Sequence, residues 1–205
     1  MKIYTRRGDD GTTGLLFGGR VPKDSAVIAA NGAVDEAQAA LGAARAQVER
    51  GSELDGLLVA LERDLYVLMA EIATSEDNRA KLQPGVTRVT KEMVMALEQR
   101  IDALAGRFPP LEDFVIPGHD PVSAALDVAR TAVRRAERKA IEVPPRSRPS
   151  PLVVAYLNRL SDLVWTMARW QEHGESLLSR KAAPAGAAPG PAPGPAPGET
   201  AGGDR

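Results

Sequence analysis

FVIPGHDPVSAALDVARTAVRRAER, residues 114–138, joins an apolar loop to a segment loaded with arginine, and its periodicity decides the fold class. At 3.6 residues per turn, Val122, Ala125, Leu126, Ala129, Ala132, Val133 and Ala136 fall on one stripe, which predicts an amphipathic helix packed against a core. Pro121 suits its first turn. Arg130, Arg134 and Glu137 follow at i, i+4 and i+7 along one edge of that stripe, which predicts partly buried guanidinium groups, while Arg135 lies on the far face. A partly buried guanidinium needs an anion or a carboxylate, and two of them one turn apart suit a polyphosphate. A solvated face of Arg and Glu pairs explains the same helix taken alone and is the more economical reading of it. Ahead of the helix, Phe114-Val115-Ile116-Pro117-Gly118 is too short for a helix and predicts a loop held against something apolar. Such a loop ordinarily plugs a core; the alternative places Phe114 on a ligand.

The same periodicity recurs on both sides. Val27, Ala30, Val34, Ala37, Leu41, Ala44 and Val48 repeat in steps of three and four, predicting a helix over 25–50 that Asp24 or Ser25 caps. Asp35 lies one residue off that stripe, an exposed carboxylate or a partner for an arginine. Gly42 costs about 1 kcal/mol against alanine in mid-helix, which points to a close helix approach. A second helix is expected from Gly51 to about Ser75 on Leu54, Leu58, Leu61, Leu65, Leu68 and Ile72. A third is expected from Thr90 to Phe108, ended by Pro109-Pro110, and the arginine helix stops near Pro144-Pro145. The fifth begins at Ser150-Pro151 and packs Val153, Tyr156, Leu157, Leu160, Val164 and Met167. Its other face carries Asn158, Asp162, Trp165 and Arg169, and tryptophan in a polar stripe points to a ligand or another subunit, or is incidental. No strand-like alternation competes, so the expected fold is an all-α, five-helix bundle with mainly antiparallel neighbours over 25–181.

The segment Tyr4-Thr5-Arg6-Arg7-Gly8-Asp9-Asp10-Gly11-Thr12-Thr13-Gly14 is dense in Gly, Thr, Asp and Arg, so residues 1–24 read as a loop of the same domain. Its glycines admit backbone N–H groups to a ligand and Arg6, Arg7 and Lys23 add charge, a phosphate cradle in principle; a floppy arm is the simpler reading of the segment alone. Residues 182–205 are Pro, Ala and Gly with few large apolar groups, the composition of a disordered tail.

Composition bounds the rest. The 205 residues are 43% hydrophobic, with 26 basic against 27 acidic groups, so one domain with a sizeable core is expected and nothing global attracts nucleic acid or an anionic membrane. Cysteine is absent and only His119 and His173 are present, which removes thiol chemistry and a histidine-rich metal site. With no membrane-length apolar run and no apolar signal segment, a cytoplasmic protein is expected.

Three pieces in order, Tyr4 to Thr13, Phe114 to Arg138 and Tyr156-Leu157-Asn158-Arg159-Leu160-Ser161-Asp162, resemble the PduO-type ATP:cob(I)alamin adenosyltransferases, and Val34-Asp35-Glu36 and Val21-Pro22-Lys23-Asp24 extend the likeness over residues 1 to about 175. The resemblance implies a homotrimer of five-helix bundles with active sites between subunits. It implies that Thr5, Arg6, Gly8, Asp9, Gly11, Thr12, Thr13 and Lys23 hold the triphosphate of ATP. Arg134, Glu137 and Asn158 would complete that site, with Glu137 in the environment of Mg²⁺. Arg130 would pair with Asp35 of a neighbouring subunit, and Phe114 would lie below the corrin ring. The implied reaction transfers the 5′-deoxyadenosyl group of ATP to cob(I)alamin, giving adenosylcobalamin and triphosphate, with a flavoprotein reductase and an adenosylcobalamin-dependent acceptor enzyme as partners. Three places depart from the family pattern: Gly118-His119-Asp120, Asp127 where histidine is usual, and Val34 to Gln38. The competing readings are a non-catalytic bundle that binds ATP or protein, which would not require the glycine and arginine arm, and a di-iron bundle, whose Glu-x-x-His pairs are absent.

Overall fold

The computed structural model describes residues 4–180, so the expected disordered tail at 182–205 lies outside the described residues. Helices dominate: α1 (Ala26–Arg45), α2 (Glu53–Ile72), α3 (Lys91–Ala105), α4 (Pro121–Glu142) and α5 (Pro151–Gln171), with a short 3-10 segment at Glu76–Lys81. The starts follow local chemistry. Ser52 accepts the Asp55 N–H, Thr90 accepts the Met93 N–H, and Asp120 accepts those of Val122 and Ser123 in a capping box ahead of Pro121. Ser25 and Ser150 occupy the N-cap positions of α1 and α5 but make no side-chain cap bond, contrary to expectation. At α5 the N-cap residue is instead tied through its backbone: the Ser150 N–H donates to the Glu71 carboxylate of α2 at 2.9 Å.

Packing follows the apolar stripes. Helix α4 lies between α1 and α5, α2 packs on α1, and α3 packs on α5. The α1 and α4 faces that meet are built from small residues, Ala30, Ala33, Ala37 and Ala44 against Ala129, Ala132, Ala136 and Ala140, all buried, and small side chains let helix axes come close. Leu54, Leu58, Leu61, Leu65, Leu68 and Ile72 of α2 are all within the core, where truncating one leucine to alanine costs about 2 to 5 kcal/mol. Polar ties close the far sides. The Tyr156 hydroxyl of α5 donates to Asp64 of α2 at 2.7 Å, and Arg159 pairs with Glu98 of α3 at 2.9 Å. Glu71 is 4% exposed and also accepts the Val89 N–H at 2.7 Å, so one carboxylate holds the approaches to both α3 and α5. Helix α2 is therefore not purely apolar core, as its leucines had suggested.

Several expectations are corrected. The N-terminal loop is a small antiparallel hairpin, β1 (Thr12–Gly14) and β2 (Arg20–Pro22), with Thr13 opposite Val21. Strands this short carry no readable alternation, and the reversal depends on Gly18 and Gly19 at φ 104° and 91°. The hairpin reaches the helices where the Leu16 N–H donates to the Ala73 carbonyl, just past α2. Helix α1 ends at Arg45 rather than Arg50, because Asp55 gathers the Arg45 guanidinium and the Gly51 N–H and turns the chain into α2. Helices α2 and α3 likewise stop short of Ser75 and Phe108. Gly42 marks no close backbone approach: a methyl there would meet only the Glu62 carboxylate, at 3.7 Å.

Candidate functional site

The glycine-rich arm is ordered by an arginine that sequence reading passed over. Arg20 on β2 donates to the Thr12 hydroxyl through Nε at 2.9 Å and through Nη2 at 2.6 Å, and Nη2 also reaches the Thr12 and Arg7 carbonyls. Asp10 accepts the Thr12 N–H at 2.9 Å and its hydroxyl at 2.8 Å. The Thr12 backbone and hydroxyl, with Arg20 nearby, hold the Asp10 carboxyl below its ordinary pKa. Gly8 is needed for space, since a methyl there would lie 3.0 Å from the Lys23 ammonium and 3.2 Å from the Thr12 carbonyl. The Lys23 N–H in turn donates to the Gly11 carbonyl at 2.9 Å. Gly8, Gly11, Thr12 and Lys23 thus converge on one turn, with Thr5, Arg6 and Asp9 exposed on its approach and Thr13 paired in β1. A glycine turn beside one ammonium is the kind of arrangement from which anion-binding concavities are built.

A second group forms between α4 and α5. Asn158 donates to the Glu137 carboxylate at 3.1 Å and accepts from Arg159 at 2.6 Å. Arg134 stands one turn before Glu137 but is exposed, not partly buried as its spacing suggested, whereas Arg130 and Glu137 on the same edge are half-buried. The hydrogen bonds and ion pairs of residues 5–24 do not reach Arg134, Glu137 or Asn158 within the described chain.

A cavity of about 680 Å³ is walled by Phe114, Asp127, Arg130, Trp165, Arg169 and Arg180 among others. Phe114 is 82% exposed, so its loop does not plug the core. The ring is held out by the backbone: the Ser179 N–H donates to the Phe114 carbonyl at 2.7 Å and the Ile116 N–H to the Leu177 carbonyl at 2.8 Å. Asp113 ties the two segments together, accepting the Phe114 N–H at 2.7 Å and the Ser179 hydroxyl at 3.1 Å. These donors, the Phe114 N–H first, together with Arg180, lower the Asp113 pKa. Trp165 is half-exposed at the rim, edge-on to Phe108 at 6.5 Å.

The floor of the cavity is a buried chain of charge. Arg169, expected on a polar stripe facing outward, is 1% exposed and donates from Nη2 to Asp127 at 2.7 Å and to Glu172 at 2.8 Å. Asp127 in turn accepts from Arg130 Nε at 3.2 Å. Arg130 therefore finds its carboxylate inside its own helix, and Asp35, exposed on α1, does not meet it within the chain. The neighbours of the two residues do meet, since Arg135 bonds Glu36 between α4 and α1. Sequence reading missed Arg20, Asp10, Arg169 as a buried group, Glu172 and Asp113. Only the i, i+3 spacings of Asp127 to Arg130 and Arg169 to Glu172 carried a local signal.

Against known proteins, a family model described as cobalamin adenosyltransferase matches residues 3–171. The corrinoid adenosyltransferase of Citrobacter freundii is 42% identical over 171 residues, covering 83% of this chain and 95% of that protein. The corrinoid adenosyltransferase of Bacillus subtilis is 34% identical over 172 residues, covering 82% and 86%. Among solved structures, a phenylalanine-to-histidine variant of a PduO-type ATP:corrinoid adenosyltransferase from Lactobacillus reuteri, complexed with cobalamin and ATP, superposes with a TM-score of 0.78 at 28% identity, over 87% of this chain and 97% of that one. An arginine-to-lysine variant from the same organism, complexed with ATP, gives 0.77 at 27% identity, over 87% and 100%. With a converging glycine turn at one end, a Phe114 and Arg130 cavity at another, and this likeness along nearly all of the described chain, the chain belongs to the cobalamin adenosyltransferase family and is of the PduO type.

Proposed function

We propose that this chain transfers the 5′-deoxyadenosyl group of ATP to cob(I)alamin, as a homotrimer of five-helix bundles whose active sites lie between subunits, in the cytoplasm. The observation that carries the reading is the cavity of about 680 Å³ with the exposed Phe114 ring and Arg130 on its wall, in a fold whose solved relatives are complexed with cobalamin and ATP. The cobalt of cob(I)alamin supplies an electron pair to C5′, the C5′–O bond breaks, and triphosphate leaves with that bond's electrons. Little proton transfer is needed, so the protein's work is alignment and stabilisation of the leaving charge.

The hairpin turn with Gly8, Gly11, Thr12 and Lys23 cradles the triphosphate, with Thr5, Arg6, Asp9 and Thr13 around it. Arg134, Glu137 and Asn158 of a neighbouring subunit complete the ATP site, which accounts for their separation from the hairpin within one chain. Among the described residues no group of three acidic or histidine side chains gathers to hold a metal on protein ligands alone. Half-buried Glu137, with one carboxylate oxygen on Asn158, fits a magnesium ion carried mainly by phosphate oxygens. Mg²⁺, when bound there, neutralises charge on the triphosphate. Phe114 covers the lower face of the corrin ring and keeps water and an axial ligand away from it. A reductase that delivers cob(II)alamin electrons and an enzyme that consumes adenosylcobalamin complete the setting.

The test is direct. Protein, ATP, Mg²⁺ and chemically reduced cobalamin are mixed, and adenosylcobalamin is read by its absorbance and triphosphate by chromatography. Both products in equal amounts are expected; ATP binding without either would reduce the chain to a binding module.

A further inference from the structure

Four charged side chains alternate in sign from the cavity wall into the interior: Arg130, Asp127, Arg169 and Glu172. Asp127 uses both oxygens, Oδ1 on Arg130 Nε at 3.2 Å and Oδ2 on Arg169 Nη2 at 2.7 Å. Arg169 is fixed from several sides, by Asp127, by Glu172 at 2.8 Å and by the Trp165 ring 5.9 Å from its Cζ. Glu172 is 1% exposed, and its other oxygen is taken by the Ser176 hydroxyl. A surface aspartate would swing between rotamers. This one cannot turn without taking one of its two carboxylates from a buried guanidinium.

The geometry has a directional result. The bond to Asp127 occupies Nε of Arg130 and leaves Nη1 and Nη2 without a hydrogen bond among the described residues. Those two nitrogens form the fork end of the guanidinium, the part suited to a carboxylate or an anion. Arg130 is 27% exposed at its side chain and lines the cavity. We propose that Asp127, locked by buried Arg169 and Glu172, is a positioning residue that aims the fork of Arg130 toward the cavity that Phe114 also walls. The proposal rests on the placement of Arg130 in the function proposed above, and it assigns Asp127, Arg169 and Glu172 a role through Arg130 rather than contact with substrate.

Asp127→Asn is nearly isosteric and keeps an acceptor, so it loosens the aim with least damage to the core. In the adenosyltransfer assay kcat is expected to fall about tenfold or more with KM for ATP unchanged, the signature of an interaction made only in the transition state. In an Arg130→Lys background, which has neither the Nε–H that Asp127 holds nor a fork to aim, Asp127→Asn should cost nothing further. An unchanged kcat in the single variant, or the same fold-loss in both backgrounds, overturns the proposal. A second measurement does not depend on turnover. The ¹⁵N resonance of the Arg130 Nε–H, identified by its loss in Arg130→Lys, should exchange slowly in the unsubstituted protein and shift and exchange fast in Asp127→Asn. A resonance that ignores the substitution overturns the positioning role even in a protein that makes no adenosylcobalamin, whereas an inert unsubstituted protein with the expected resonance overturns only the functional reading.

Discussion

Arg20 and Phe114 show two ways in which one residue sets a site. Arg20 touches no expected ligand, yet its guanidinium joins the Thr12 hydroxyl, the Thr12 carbonyl and the Arg7 carbonyl, and so gives the glycine turn its shape. Arg20→Ala is expected to raise KM for ATP on the order of tenfold, equivalent to about 1.4 kcal/mol, with kcat at saturating ATP little changed. Steady-state kinetics decide it, and an unaltered KM would detach the hairpin from ATP binding. Phe114 is the converse case, a large ring placed in solvent by the bond of its own carbonyl to the Ser179 N–H and of the nearby Ile116 N–H to the Leu177 carbonyl. Phe114→Ala should keep ATP affinity but slow turnover most when cob(II)alamin must be reduced in place. Comparing that route with pre-reduced cob(I)alamin tests it, and equal losses on both would remove Phe114 from control of the lower face.

At the scale of the element, the helices were legible because burial writes itself into periodicity. Every expected α2 and α5 core position is buried, and at Ser52 and Thr90 a hydroxyl accepts the N–H three residues on, a start set by local chemistry. What was not legible depended on partners distant in sequence. No local pattern announces that Arg169 will meet Asp127, that Ser150 will lend its N–H to Glu71, or that three residues of strand will pair across Gly18 and Gly19. The same holds for the tie between α5 and α2. Tyr156 looks like ordinary core in sequence, but its hydroxyl is bound to Asp64, and burial first, then that carboxylate, pushes its pKa well above the ordinary value near 10. Because the folded phenol holds its proton more tightly than the unfolded one, stability is full below about pH 10 and falls as pH rises from there through the folded pKa. Tyr156→Phe should lose about 1 to 3 kcal/mol at neutral pH and flatten that alkaline slope. Urea unfolding at pH 7.5 and above 10, both chosen as about one side and the other of the ordinary phenol pKa, measures both effects.

For the molecule as a whole, the separation of the candidate site residues is the central fact. The hairpin, Asp35 and the arginine edge of α4 do not close on one another within a single chain, and an arrangement of subunits is what would join them. Asp35 and Arg130 test that arrangement. If they pair between subunits, Arg130→Ala strands Asp35 at the interface, at a cost typically of about 3 to 5 kcal/mol, while Asp35→Ala leaves Arg130 only its Asp127 partner, and each should impair turnover severely. The double variant should be much less damaged than the sum of the singles. A double-mutant cycle on turnover and on oligomer mass reads the coupling, and losses that simply add would separate the two residues and weaken the interfacial placement.

Glu71 has a consequence in time as well as in space. Its two oxygens receive the amide protons of Val89 and Ser150, which belong to parts of the chain remote in sequence but immediately precede α3 and open α5. Neither amide can trade its proton with solvent until it leaves that carboxylate, so exchange at the two positions is governed by release from a single side chain. In deuterated buffer Val89 and Ser150 should be labelled at closely matched rates, and Glu71→Gln should accelerate both together. A large acceleration at only one of them would mean that α3 and α5 detach from α2 separately.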